Sequence, residues 1–212
     1  MSSPARGWDL PTRVFHWILV TLVTCSFVTG KLGGSWLEWH FRSGYAIFAL
    51  ILFRVAWGFA GSRDARFVSF VRGPRAALAY ARSLAAGWRA LEAGHNPLGG
   101  LMVVTMLALL ALQATTGLFS NDESAHEGPL ASKVSDALVD RMSGIHYWNE
   151  WVILGAVILH VLAVSIYQLY LRMNVVGPMV SGSSRASENV RALVFICIAA
   201  AAVYWLVVIY PR

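Results

Sequence analysis

Long apolar runs separated by short polar stretches dominate the chain, and their length determines what they can form. A helix needs about 20 mostly apolar residues to cross the hydrocarbon core of a bilayer. Five stretches qualify, at roughly 13–30, 40–60, 98–119, 146–171 and 192–210. The runs are continuous rather than alternating, which excludes barrel strands, and an open sheet cannot cross lipid. The pattern predicts an all-α integral membrane protein. The first run follows Arg6 and Arg13, as the apolar part of a signal peptide would. It is longer than such a segment and no small-x-small cleavage site follows it, so it is read as a span.

Composition sharpens this picture. Only 13% of the 212 residues are charged, about half the share of a soluble domain. Nine tryptophans and seven tyrosines suit the aromatic belts of membrane interfaces. Cys25 and Cys197 both lie inside apolar runs, which excludes a disulfide-stapled scaffold and a cysteine-ligated zinc site. The chain has no Cys-x-x-Cys-His, so covalently attached haem is excluded too. The net charge of +6 has a topological explanation. With the N-terminus inside, twelve of the seventeen basic residues fall on the inner side, leaving Lys31, Arg42, Lys133, Arg141 and Arg212 outside. The excess of inner positive charge predicts a cytoplasmic N-terminus and, after five crossings, an external C-terminus. Nucleic acid is not an expected partner, because no soluble domain carries a basic face.

Two polar segments stand out. Residues 61–97 interleave arginines with Phe67, Phe70, Leu78, Tyr80, Leu84 and Trp88. From Gly73-Pro74 onward they read as a basic amphipathic helix on the cytoplasmic leaflet, with a solvated linker as the plainer reading. Residues 120–144 hold Asp122, Glu123, Glu127, Asp136 and Asp140 against Lys133 and Arg141. This outer segment is either a solvated loop or an acidic surface that steers a basic partner.

The histidines carry the candidate chemistry. Four of the six, His16, His40, His146 and His160, fall in spans or at their ends, where polar groups are expensive. His146 and His160 are 14 residues apart on one predicted helix, which means about 21 Å of rise and a rotation roughly 40° short of four turns. Both rings therefore face nearly the same way at two depths. His16 matches His160 near the inner surface, and His40 matches His146 near the outer one. Matched histidines on facing helices suit bis-imidazole haem ligation. The spacing alone leaves packing histidines, a proton relay or another metal open. Gly44, four residues from His40, and Gly155, between His146 and His160, would let a flat ring approach closely. Arg13 and Arg42 lie beside predicted ligands, positioned either for propionate carboxylates or for headgroups. His126 has no partner at its depth and stays unassigned.

The opening WDLPTRVFHW, the segment GHNPLGG and the His146…His160 spacing together resemble the bacterial cytochrome b561 family, in particular the cytochrome b subunits of membrane nickel–iron hydrogenases. The similarity runs over residues 8–171. It implies a single membrane domain whose four-helix core holds two non-covalent b haems on His16, His40, His146 and His160, with residues 172–212 adding a fifth span. It further implies location in the bacterial inner membrane with the C-terminus periplasmic. The expected activity is electron transfer between quinone and a periplasmic cytochrome c or a membrane-attached redox subunit of the dehydrogenase or hydrogenase kind. A superoxide:quinone oxidoreductase is the enzymatic alternative, and a haem-free anchor or transporter subunit the alternative of another class. In GHNP, Asn96 and Pro97 read as the cap and first residue of the third span. His95, with Asn96 beside it, is either part of a structural turn or a quinone ligand on the inner side.

Overall fold

The computed structural model describes residues 8–86, 97–121, 126–182 and 186–211. Helices α1 (Leu10–Leu32) and α2 (Leu37–Ala60) form an antiparallel pair joined by a turn of 3-10 helix, Gly34–Trp36. Gly33 and Gly34 take φ of 63° and 54°, a left-handed region that glycine enters without steric cost. Two short connecting helices follow, α3 (Phe67–Phe70) and α4 (Pro74–Ala86). Helices α5 (Pro97–Gly117) and α6 (Asp136–Ser165) form the second antiparallel pair. A single turn, α7 (Gly177–Val180), then leads into α8 (Ala186–Tyr204). Both α6 and α8 finish in a wider π-helical turn, at Ile166–Tyr170 and Trp205–Ile209.

Five of these helices are long and apolar enough to cross a membrane. They match the five expected runs, and their ends differ for local reasons. The first begins at Leu10 because Asp9 caps it, its Oδ1 accepting from Thr12 N at 2.9 Å. That bond satisfies one of the free amides of the first turn. The fourth begins ten residues before His146, at Asp136. Asp136, Asp140 and Arg141, expected in the outer polar segment, therefore belong to helical turns. Charged residues cost little there, because 30 helical residues reach about 45 Å and outrun the hydrocarbon core. In the polar segment between the second and third spans, α4 starts at Pro74 as the Gly-Pro signal predicts.

Helices α1, α2, α5 and α6 surround the central space, and α8 packs against the outside of α2 and, less extensively, α1. Phe15, Ile47, Ile51, Phe53, Trp57, Leu107 and Leu110 share one apolar cluster with Ala192 and Ala199 of α8. The fifth span is thus welded to the pair that carries His16 and His40. The faces turned away from this cluster remain apolar: Trp148 is 70% and Leu169 76% exposed. Only a lipid surround makes so much outward apolar area stable.

Candidate functional site

The two helical pairs bring the four histidines together two by two. His16 on α1 and His160 on α6 have ring centroids 6.5 Å apart, and His40 on α2 and His146 on α6 have centroids 6.1 Å apart. Helix packing alone sets the depth of each pair, since all four residues sit in regular helix.

The His40–His146 pair is held most completely. His40 Nδ1 lies 2.8 Å from the carbonyl of Ser26 and 3.2 Å from its hydroxyl. His146 Nδ1 lies 3.0 Å from the Gln113 carbonyl and 3.2 Å from Thr116 Oγ1. A ring nitrogen facing a carbonyl must carry the proton, which leaves Nε2 with a free lone pair. Two glycines make room for the rings. A Cβ at Gly30 would lie 2.9 Å from His40 Nδ1, and one at Gly117 2.9 Å from His146 Cε1. Asn149 cross-links α6 to α5 by donating to the Leu109 carbonyl at 3.0 Å and to Gln113 Oε1 at 2.8 Å, while Gln113 Nε2 donates to the His146 carbonyl at 3.1 Å.

An apolar cavity opens beside this pair, bordered by Phe27, Gly44, Ile47, Leu110 and Ile153, with Glu150 at its edge. Gly44 faces open space, as nothing lies within 4 Å of where its Cβ would stand; the same holds for Gly155. His126 also lines the cavity and stacks on Phe41 at 6.5 Å. Glu127, next to it, bridges to Asn121, a contact between chain neighbours that no periodicity announces. Lys31, at the end of α1, pairs with Glu150 and lies 4.7 Å from the centroid of the Trp151 ring.

The two arginines are engaged by protein groups. Arg13 donates from Nη1 to the Val180 carbonyl and from Nη2 to the Gly182 carbonyl, both at 3.0 Å, tying α1 to the turn before α8. Arg42 pairs with Glu38 one turn earlier, is exposed, and lies 5.3 Å above Trp39. His95 and Asn96 lie outside the described residues.

The family model for prokaryotic cytochrome b561 matches residues 7–182. The chain belongs to the prokaryotic cytochrome b561 family. Among its relatives, a probable Ni/Fe-hydrogenase B-type cytochrome subunit of Azotobacter chroococcum is 25% identical, over 82% of this chain and 86% of that protein. The proteins of the same description from Cupriavidus necator and Bradyrhizobium diazoefficiens are 26% and 22% identical, each over 82% of this chain and covering 84% and 83% of theirs. No solved structure matches. This cytochrome b561 is therefore a multi-pass membrane protein of the b type, with haem b as cofactor and electron transfer as its activity.

The residues present fit that cofactor. Imidazole nitrogens bind a transition metal at about 2 Å, and a ring nitrogen is roughly 1 Å from its centroid, so two rings across one metal stand about 6 Å apart between centroids. Both pairs meet this spacing. In the His40–His146 pair, both Nδ1 atoms face carbonyls, the outer-sphere arrangement that orients metal-bound histidines.

Proposed function

We propose that this cytochrome b561 holds two b haems, an inner one between His16 and His160 and an outer one between His40 and His146, and relays electrons across the bilayer. The observation that carries the reading is the pair of imidazole couples, 6.5 Å and 6.1 Å between centroids. Their ligand levels are about 21 Å apart along α6. Bound haem supplies reversible one-electron chemistry at iron, with a potential that ligands, hydrogen bonds and burial adjust. The chain's part is to orient the rings. The carbonyls of Ser26 and Gln113 hold the protons of His40 and His146 away from the shared gap, and Gly30 and Gly117 let the rings seat against α1 and α5. Two histidines holding each iron would favour electron relay over oxygen activation.

The excess of basic residues between α2 and α5 supports a cytoplasmic N-terminus, with the His40–His146 level towards the periplasm. Quinone then exchanges electrons at the inner level, where His95 and Asn96 fall in sequence order, and a periplasmic or membrane-attached redox subunit exchanges them at the outer level. The relatives' description as hydrogenase cytochrome subunits supports a dehydrogenase or hydrogenase type of partner. The test is haem stoichiometry. Pyridine haemochrome on the purified protein should give a b-type spectrum with close to two haems per chain, both extractable into acid acetone. A ratio near one, or haem that resists extraction, overturns the reading.

A further inference from the structure

Arg54 lies 14 residues after His40 on α2, the separation that links His146 to His160 on α6. Over that length a helix rises about 21 Å and returns to within roughly 40° of the same face. Arg54 thus continues the stripe His40, Gly44, Ile47, Ile51 at the depth of the inner histidine pair. The register between α1 and α2 agrees. Ser26 meets His40, Phe15 meets Phe53, and Asp9 meets Trp57, which sets Arg54 level with Thr12 to Val14, within about one turn of His16.

The side chain is only 2% exposed. The rings of Phe67 and Phe70 cover the guanidinium at 5.0 and 6.0 Å. Asp9 is close enough to be felt as a charge but is otherwise engaged: Oδ1 accepts from Thr12 N, while Oδ2 accepts from Trp57 Nε1 and Ser62 Oγ. No ion pair joins it to Arg54 among the described residues. Among the described residues, Arg54 Nη1 has no hydrogen-bond partner, nor has Thr12 Oγ1, one turn before His16. A guanidinium stays protonated in a protein, and a buried charge without a hydrogen-bonded partner costs several kcal/mol. The arrangement calls for an anionic acceptor within about one turn of the His16 level.

We propose that Arg54 and Thr12 bind a propionate carboxylate of the inner haem, an inference that rests on the two-haem reading above. The planar fork of arginine suits the two oxygens of a carboxylate, and Thr12 donates to the same group. Arg13, the residue the sequence suggested for this contact, gives Nη1 and Nη2 to the Val180 and Gly182 carbonyls and keeps only Nε without a partner among the described residues. A lipid phosphate would present the same chemistry, and a label confined to haem separates the two.

The test uses the full-length holoprotein carrying haem 13C-labelled at the propionate carboxyls, read by redox-difference infrared spectroscopy and potentiometry. In Arg54→Gln, the labelled carboxylate band that titrates with the inner haem should shift. That haem's midpoint potential should fall, because a cation balancing the propionate is gone, and its loss to apomyoglobin should speed up at least tenfold. The outer haem should be unaffected. Arg54→Lys should restore most of the potential but not the band, and Thr12→Val should shift the same band by less. Unchanged labelled bands in both Arg54→Gln and Thr12→Val overturn the proposal, as does a shift confined to unlabelled phosphate bands. If Arg54→Gln does not retain the inner haem, an unshifted band in Thr12→Val decides against it. A wild-type protein without haem at the His16 level refutes the two-haem reading itself, and that result precedes any variant.

Discussion

Replacing Gly117 by alanine tests the reasoning about the outer pair at its tightest point. The added methyl would stand 2.9 Å from His146 Cε1 and 3.3 Å from Nδ1, so either the ring or α5 must yield by several tenths of an ångström. The ring is pinned by the Gln113 carbonyl and Thr116 Oγ1, and moving it lengthens both contacts. Overpacking of this kind costs about 1–3 kcal/mol. Alanine returns up to about 1 kcal/mol through helix propensity. Gly117 ends α5, so only part of that return applies. From a mid-range cost of about 2 kcal/mol, the net loss at the site is about 1–2 kcal/mol, or roughly five- to thirty-fold in affinity for whatever the His40–His146 couple holds. Haem content with spectral resolution of the two components is the assay. Gly117→Ala should deplete or shift the outer component and leave the inner one intact. Gly30→Ala should do the same through His40, where the methyl would meet Nδ1 at 2.9 Å. Gly144→Ala, with nothing within 4 Å of the new methyl, should retain both haems and gain slightly in thermal stability. If Gly117→Ala and Gly30→Ala keep the outer component at wild-type affinity and potential, the glycines are not seats for the rings.

Three further outcomes follow from the same geometry. His16→Ala and His160→Ala should remove one and the same spectral component, and His40→Ala and His146→Ala the other; loss of a common component in His16→Ala and His40→Ala would refute the pairing. A reporter active only in the periplasm should work when fused after Pro211 and fail when fused after Gly182, and the opposite pattern would invert the assigned orientation. His95→Gln should slow reoxidation by quinone at least tenfold, about 1.4 kcal/mol in barrier, with both haems retained; an unchanged rate moves quinone chemistry elsewhere, and loss of haem favours the structural reading of that turn.

Much of this was legible in the sequence because it depends on length and period alone. Twenty apolar residues are enough to call a span, and the same helical rise that sets span length places His146 and His160 at two depths on one face. The pairing of His16 with His160 followed from counting crossings, since antiparallel helices of similar length must match depths. What surrounds each ring did not follow. Gly30 and Gly117 sit 10 and 29 residues from the histidines they accommodate, and no local signal marks a glycine as a seat for a side chain on another helix. The carbonyls that orient His40 and His146 belong to ordinary helix interiors, and they become acceptors only because α2 crosses α1, and α6 crosses α5, at that register. Arg42 and Arg13 looked alike as cations beside histidines. Tertiary packing separated them from Arg54, because a long flexible side chain binds whatever carbonyl or carboxylate the neighbouring elements present, and sequence position does not specify that neighbour. Hydrophobic period and length act along the chain, where sequence is read. The partner of a polar group is chosen across helices, where the relative rotation and depth of packed surfaces decide.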